Sequence, residues 1–431
     1  MHTDRADDAR AAGGATGVTT GRSAYFDLLR TVALLRVVVY HTVRAQWLHL
    51  LVPAIGVMFA LGGTLMAVSL DRSGLTTVPR RLRRLLPPVW LYGAVTIVLG
   101  WDDESMHRSW WSTLIFWLIP LRDPHIHAAG LVDTMWYLRT YLWFVLLSPV
   151  LLAVFRRVGL VMVMAPLAGL VGLALCDVLV LHHGLSDGLP LDLLTYAPCW
   201  LLGFAASDGL LYQIPARVCA LLSGIAGLAS VALLVGQLAG IVVGTTGAVA
   251  YAFWSAAVVL SLLRWQPGRI WLRGRPLLAR FSTAVSARAL SIYLWHDPMI
   301  VATASLAALV GLHLVGILQV PVVLLFTAVV VLAVGWVEDV AARRPPRLIP
   351  TGTEDGARPV HRVAPQRNGH RGFADRRRRR LPGVAATQSG HSRAGRSADG
   401  QRGSTGSEFG HPSSMPDDPP TAGPEEAASV R

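Results

Sequence analysis

Residues 24–43 read AYFDLLRTVALLRVVVYHTV, and the apolar run within them, Tyr25–Val43, is long enough to cross a lipid bilayer. The run nevertheless contains four ionisable side chains: Asp27, Arg30, Arg36 and His41. An ionisable group at membrane depth costs roughly 2.5–3.5 kcal/mol on insertion scales, so each of these residues needs a partner or a function.

The spacing of these residues places three of them on one helical face. Arg30 and His41 are separated by about three turns plus ~20°, and by ~16 Å along the helix axis. Asp27, one turn before Arg30, shares that face and is predicted to pair with it. Arg30 could serve only as a structural ion pair, and His41 could simply hydrogen-bond a neighbouring helix. Arg36 lies ~240° around from Arg30, and the sequence suggests no role for it.

Composition independently indicates a membrane protein. The 431 residues are 53% hydrophobic and only 15% charged, against about 25% charged in a typical soluble domain. All 39 basic residues are Arg, which excludes the Lys-dependent phosphate loop and Schiff-base chemistry and suggests a GC-rich bacterial genome. The formal charge of +13 is spread over short loops and a tail, so nucleic acid is not an expected partner. Cys176, Cys199 and Cys219 lack metal or disulfide spacing.

The hydrophobic windows predict an all-α, polytopic integral membrane protein with about ten transmembrane helices. A further window, Trp110–Leu121, is half the needed length and is predicted to be interfacial or re-entrant. After Tyr25–Val43, the predicted spans are Leu50–Leu70, Leu85–Leu99, Trp136–Phe155, Leu160–Leu181, Leu191–Leu211, Val218–Gly236, Ala239–Leu263, Leu290–Val310 and His313–Trp336.

Arginine placement predicts the orientation of these spans. With ten crossings, the Arg-rich stretches 70–84, 156–157, 264–288 and 343–347 all fall on the side of the N-terminus, whereas the opposite loops are acidic. Both termini are therefore expected in the cytosol, with the protein in the inner membrane. Residues 1–23 are predicted to be a disordered cytosolic lead and residues 24–344 the transmembrane domain. Residues 345–431 are predicted to be a disordered basic tail, for which contact with anionic lipid is the alternative function.

Four motifs, in this order along the chain, resemble the membrane-bound acyltransferase family called acyltransferase 3. The first is Arg30 and His41 with ten residues between them, and the second is the Arg-rich stretch 80–88, RRLRRLLPP, which resembles the entry to the family's third helix. The third is MWYLRTYLWFVLLSP, residues 135–149, and the fourth is SIYLWHDP, residues 291–298. The resemblance spans residues 26–336.

The resemblance implies an acyl-coenzyme A donor, acetyl being the expected acyl group, and no metal cofactor. It implies His41 as the essential residue for acyl transfer, acting either as a general base or as the acyl carrier, with Arg30 and Asp27 completing the catalytic group. An unperturbed imidazole pKa near ~6.5 suits proton removal from a hydroxyl or amine. Arg81 and Arg84 are expected to bind the donor's phosphates, because a guanidinium fork matches a phosphate. Arg80 and Arg83 are interpreted as ordinary membrane anchors.

Three further residues are candidates for the acceptor site. Trp136 and Arg139 begin the helix at residues 136–155 from the outer side, and Arg139 could hold an acceptor hydroxyl or carboxylate, or snorkel to the interface. His296 is interpreted as lining the path, or as a packed histidine. The stretch 184–188, GLSDG, matches a serine-hydrolase pattern but lacks the strand–turn–helix context, and His125 and His127 lack further metal ligands.

The predicted function is therefore acyl transfer from cytosolic acyl-coenzyme A to a hydroxyl of a cell-surface glycan, lipid-linked sugar or secreted metabolite. Expected partners are membrane lipids, the acceptor, and a separate extracytoplasmic protein that handles it. The alternative is a transporter or flippase for a polysaccharide or lipid-linked intermediate. That alternative is disfavoured because the Arg–His stripe has no counterpart in the second half of the chain.

Overall fold

The computed structural model describes residues 4–45, 47–99, 110–122, 132, 134–176, 188–239, 245–267, 272, 274–312 and 316–348. Within these ranges the regular structure is entirely helical, which confirms the all-α prediction. The tail from residue 349, the loop histidines His125 and His127, and the GLSDG stretch except Gly188 lie outside them.

The helices in the described ranges are numbered here in chain order. They are α1 (Asp4–Val43), α2 (Trp47–Leu51), α3 (Ala54–Ser73), α4 (Thr77–Leu99), α5 (Trp110–Leu118), α6 (Met135–Val158), α7 (Met164–Cys176), α8 (Leu189–Ser207), α9 (Leu210–Gln213), α10 (Ala216–Leu238), α11 (Thr246–Trp265), α12 (Pro276–Ala287), α13 (Ala289–Leu309), α14 (Val320–Val334) and α15 (Trp336–Ala341). Short 3₁₀ turns join several of them, at Gly74–Thr76, Gly159–Val163 and Gly316–Leu318.

Seven helical stretches are long and apolar enough to cross a membrane by length and composition. Two of them, Ala54–Leu99 and Met135–Cys176, each contain two consecutive helices. The predicted N-terminal span, within α1, is not among the seven, and it carries Asp27, Arg30 and Arg36. The chain is thus a multi-pass helical membrane protein, and the number of ten spans stays a prediction.

Helix α4 begins earlier than the hydrophobic pattern indicates. The turn between α3 and α4 needs only Gly74–Thr76, with Gly74 at a φ of 56° that favours glycine. Arginine is a good helix former, so the helix continues through Arg80–Arg84. These residues therefore lie on the first turns of α4. The predicted spans Leu50–Leu70 and Leu85–Leu99 left residues 70–84 as a loop between them, and that expectation is wrong.

Helices α3 and α8 approach each other closely at two glycines. A Cβ on Gly63 would lie 2.3 Å from the Trp200 carbonyl oxygen, and one on Gly203 would lie 2.2 Å from that of Ala60. The Thr64 hydroxyl bridges the pair, donating across it to the Gly203 carbonyl at 3.1 Å. Small residues allow this backbone contact, as is common between membrane helices.

Aromatic residues fill the space between α3, α6 and α8. Phe59 stacks on Tyr196 with ring centroids 4.8 Å apart, and Phe144 stacks on Trp200 at 5.0 Å. The buried Trp200 indole donates to Ser148 at 3.1 Å, which satisfies its polar atom. This core holds α6 in place, and α6 carries several of the residues that line the site described next.

Candidate functional site

Helices α1 and α13 run side by side in the same direction. The Arg30 guanidinium donates to the hydroxyl of Ser286, at the end of α12, at 2.9 Å. Eleven residues further along each segment, His41 Nδ1 lies 3.4 Å from an oxygen of Asp297. The face of α1 that carries Arg30 and His41 therefore lies against residues 286–297. Arg30 is at the end nearer the arginines of α4, and His41 is at the opposite end.

A cavity of about 500 Å³ opens at the arginine-rich end. Its lining includes Arg30 from α1, the first turns of α4, Tyr137 and Tyr141 from α6, and Tyr293 from α13. The lining therefore combines guanidinium groups, called here its cationic part, with tyrosine rings, called here its aromatic part. A ligand with an anionic head and a less polar arm suits that composition.

The two predicted donor-binding arginines both line this cavity. Arg81 is held in place by hydrogen bonds to Tyr141 Oη at 2.9 Å and to Ser69 Oγ at 3.2 Å. Arg84 also faces the cavity. Arg80, interpreted from sequence as an anchor, lines it as well and donates to Ser73, whereas Arg83 is exposed and is not among the described lining residues.

The side chains of Asp27 and Arg30 both form hydrogen bonds with residues of α12. Thr283 donates a hydrogen bond to Asp27 at 3.1 Å, and Ser286 serves both Asp27 and Arg30. Among the described residues the two side chains form no direct ion pair, contrary to the sequence prediction. The α12 hydroxyls lie closer to each of them, so Ser286 bridges the two charges.

His41, His296 and Asp297 form one cluster at the far end of the stripe. The carboxylate of Asp297 lies between the two imidazoles, 3.4 Å from His41 Nδ1 and 3.5 Å from His296 Nε2. The two rings meet edge to face with centroids 5.2 Å apart. His296 is fully buried, whereas the His41 side chain is 33% exposed. His41 is thus the member of the cluster that a substrate can reach.

Tyr137 and Tyr293 lie between the cavity and this cluster. Their rings are 4.9 Å apart, and the Tyr293 ring is 5.8 Å from that of His296. Tyr293 is anchored by donating its hydroxyl hydrogen to the carbonyl of Thr134. These two rings therefore connect the wall of the cavity to the histidine cluster.

The N-terminal part of α6 carries a buried ion pair. Arg139 is 2% exposed and contacts the carboxylate of Asp192, which also lies 3.5 Å from the Thr140 hydroxyl. Arg139 is thus paired and buried, and it does not snorkel. Trp136, one turn earlier, stacks on Tyr196 at 5.7 Å.

Arg36, for which the sequence suggested no role, is mostly buried. Its Nε donates to the Leu48 carbonyl at 3.2 Å, and its guanidinium lies 5.2 Å from the centre of the Tyr40 ring. These contacts tie α1 to α2, which supports a structural role for Arg36.

A carboxylate from α15 reaches the cationic part of the cavity. Glu338 lines it and accepts hydrogen bonds from the backbone N–H and hydroxyl of Ser291, at 2.6 and 2.5 Å. Burial raises the pKa of Glu338, against the opposing effects of the Ser291 hydrogen bonds and of Arg84 and Arg288. Its neighbour Asp339 is bound by Arg288 at 2.6 Å. There burial would raise the pKa, but the hydrogen bonds from Arg288 and from the Arg347 backbone N–H, together with the charges of Arg288 and Arg344, outweigh burial and lower the pKa.

Sequence reasoning missed three groups that complete the site: Asp297, Ser286 and Glu338. Asp297 directly follows His296 in the SIYLWHDP motif, so its proximity to a histidine was visible. Ser286 and Glu338 are ordinary residue types in stretches without a motif. Only the packing of α12 and α15 reveals them.

Comparison with known proteins identifies the family. A family model described as an acyltransferase domain, that of acyltransferase 3, matches residues 23–337, which is most of the chain and includes all the site residues named above except those from Glu338 onward. No curated protein and no solved structure matches the chain. The chain therefore belongs to the acyltransferase 3 family of membrane acyltransferases.

Proposed function

We propose that this protein transfers an acyl group, acetyl in the simplest case, from acyl-coenzyme A to an acceptor hydroxyl on the opposite side of the membrane. One observation carries the proposal. The arginine-lined cavity and the His41–Asp297 pair lie at the two ends of the same helix pair, α1 and α13. A donor can thus bind at one end while its acyl group reacts at the other.

The cationic part of the cavity suits the phosphates of coenzyme A. Arg81 and Arg84 present guanidinium groups, which remain charged and can contact a phosphate through two hydrogen bonds. The aromatic part, with Tyr137 and Tyr293, suits the less polar arm that carries the thioester. Arg30, from α1, is a further cation in the lining of the cavity.

At His41 the reaction is a direct transfer. With the Nδ1 proton directed to Asp297, the Nε2 lone pair of His41 takes the proton of the acceptor hydroxyl. The acceptor oxygen then bonds to the thioester carbonyl carbon, and the carbon–sulfur bond breaks. The departing thiolate receives the proton from His41, so the histidine is regenerated. Asp297 favours this role over acyl carriage because its charge stabilises the imidazolium that forms.

The acceptor and the location follow from the orientation. With the arginine-rich end in the cytosol, the cavity faces the cytosolic pool of acyl-coenzyme A, and the exposed edge of His41 faces outward. Hydroxyls of a cell-surface glycan, a lipid-linked sugar or a secreted metabolite are then the acceptors, in a bacterial inner membrane with both termini cytosolic. A separate extracytoplasmic protein would present a polymeric acceptor.

The test uses purified protein in lipid vesicles, labelled acetyl-coenzyme A and an acceptor found by comparing surface glycans and metabolites of parent and deletion strains. The variant His41→Ala should lose about 10²–10⁴-fold in transfer rate while it retains donor binding, because a general base contributes that much. His41→Gln should fold normally and remain equally inactive, since an amide accepts no proton at neutral pH.

The possible results separate three models. A structural histidine predicts that His41→Gln is nearly normal and His41→Ala is poorly expressed. A transporter predicts that the parent protein forms no acylated product and moves the unmodified acceptor instead. Either result contradicts the proposal.

A further inference from the structure

The cluster at His41 has the geometry of a transition-metal site. Around a tetrahedral zinc ion with bonds of 2.0–2.1 Å, neighbouring ligand atoms are ~3.4 Å apart. Asp297 Oδ1 lies 3.4 Å from His41 Nδ1 and 3.5 Å from His296 Nε2. Two of the three ligand separations therefore already match a bound ion. All three donor atoms lie within 4.8 Å of one another.

The buried histidine is prepared for a ligand. His296 Nδ1 donates to the Tyr293 carbonyl at 2.7 Å, so the neutral ring carries its lone pair on Nε2. A hydrogen bond from the second ring nitrogen to a backbone carbonyl is the usual arrangement for metal-binding histidines. Within the described residues, Nε2 is buried and has no hydrogen-bond partner. It lies 3.5 Å from an oxygen of Asp297, which is an acceptor and cannot donate to it.

A cation placed between the His296 lone pair and the carboxylate would interact favourably with both. A proton or a metal ion can fill this role. The set of two imidazoles and one carboxylate favours Zn²⁺ and similar transition metals over Mg²⁺ or Ca²⁺, which prefer oxygen ligands throughout.

We propose that His41, His296 and Asp297 bind one Zn²⁺ ion, and that the bound ion inhibits the enzyme: a neutral His41 ring that binds metal through Nδ1 carries its proton on Nε2, so Nε2 cannot take a proton from the acceptor. The ion enters from the outer side, where His41 is 33% exposed. The third separation is at most 4.8 Å, so His41 approaches His296 by no more than ~1.4 Å to complete the tetrahedron. His41 is the ligand that moves, because its side chain is partly exposed whereas the other two ligands are buried neighbours on α13. Water fills the fourth position.

The metal-binding part stands apart from the proposed acyl transfer, since metal content is measured without any substrate. The protein is purified in detergent through a tag that contains no histidine, stripped with a chelator, and titrated with Zn²⁺ or with Co²⁺ as a spectroscopic probe. The variants are Asp297→Asn and His296→Gln, both close in size to the original residue. The matched control is Asp192→Asn, which removes another membrane-embedded carboxylate.

The parent and Asp192→Asn should bind one more equivalent of Zn²⁺ than the two cluster variants. Co²⁺ should give the visible absorption of a tetrahedral nitrogen–oxygen site in the parent. Equal stoichiometry in all four proteins, or a parent without that absorption, would overturn the metal site. The parent spectrum decides this even where a variant fails to fold.

Inhibition is tested on the same preparations. One equivalent of Zn²⁺ should abolish acetyl transfer by the parent, and the chelator should restore it. Full transfer with the tetrahedral spectrum present would overturn the inhibitory role. A parent that binds Zn²⁺ but never acylates an acceptor would contradict the proposed function and leave the metal site standing.

Discussion

Arg83 and Arg84 are neighbours on α4 that face different surroundings. Both side chains are exposed, but Arg84 lines the cavity and Arg83 is not among the described lining residues. In Arg84→Lys the charge is kept but the two-pronged contact to phosphate is lost. The KM for acetyl-coenzyme A should rise roughly tenfold, since a hydrogen bond to a charged group contributes ~1.5–3 kcal/mol.

Arg83→Lys is the matched control and should leave the KM unchanged. Steady-state kinetics in vesicles would measure both variants. Equal, negligible effects at the two positions would mean that this cluster only anchors the helix. Arg80 makes a poor control, because it also lines the cavity.

Glu338 is expected to make binding of the proposed donor depend on pH. Its carboxylate lies in the same cavity as the arginines and would repel an anionic donor, and its raised pKa means that it takes up a proton above the ordinary 4.5. The KM for acetyl-coenzyme A should therefore fall as the pH decreases toward that pKa. The variant Glu338→Gln should have a low KM that does not change with pH. The measurement is KM across about pH 5 to 8.

Asp339→Asn provides the comparison for that experiment. The pKa of Asp339 is lowered, so its carboxylate stays ionised over the whole range and its removal should leave the slope intact. A parent KM that is flat with pH, or a slope that persists in Glu338→Gln, would exclude Glu338 as the titrating group.

At the scale of helices, the contact between α3 and α8 depends on the absence of side chains. A methyl group at Gly63 would meet the Trp200 carbonyl at 2.3 Å, so the two helices must separate in Gly63→Ala. Overpacking of this kind costs about 1–3 kcal/mol. The unfolding temperature should fall by several degrees, measured as the loss of the monodisperse peak after heating in detergent.

Gly224→Ala in α10 serves as the control for the glycine effect. A Cβ there has no neighbour within 4 Å among the described residues, so only helix propensity changes. That change stabilises the helix by up to ~1 kcal/mol. A melting curve lowered equally in both variants would mean that the close approach of α3 and α8 is not what Gly63 provides.

The helices themselves were largely predictable from sequence, because membrane spans follow from runs of apolar residues. The all-α class and the family match confirm that part. The start of α4 was not predictable, since hydrophobicity says nothing about arginines that continue a helix beyond the apolar region. The pairing of α1 with α12 and α13 was equally hidden, because no local pattern encodes which helices meet. Asp297 next to His41 depends on that pairing.

At the scale of the whole molecule, several helix ends are fixed at one face. Arg156, near the end of α6, binds Asp71 of α3 through two hydrogen bonds and also binds Asp208, which follows α8. These three helix ends therefore lie together, as the alternation of arginine-rich and acidic loops requires. The pattern of loop charge and the packing of the helices agree on this point.

That agreement leads to a test of orientation. A reporter fused after Arg347 should be cytosolic, and one inserted near Asp187 should lie outside, because short cytosolic loops carry the excess of arginine. Enzyme reporters active on only one side of the membrane would distinguish the two positions. Both reporters on the same side would contradict the predicted number of spans and the transmembrane route.

The spacing from Arg30 to His41 equals that from Ser286 to Asp297. The part of α1 between Arg30 and His41 should therefore tolerate substitutions but not changes in length. Replacing one apolar residue by another between Arg30 and His41 leaves both contacts in register. Inserting or deleting a single residue there turns His41 by ~100° and shifts it by 1.5 Å, so it leaves Asp297 while Arg30 keeps Ser286. The chain length between these positions thus matters more than the identity of the residues that fill it.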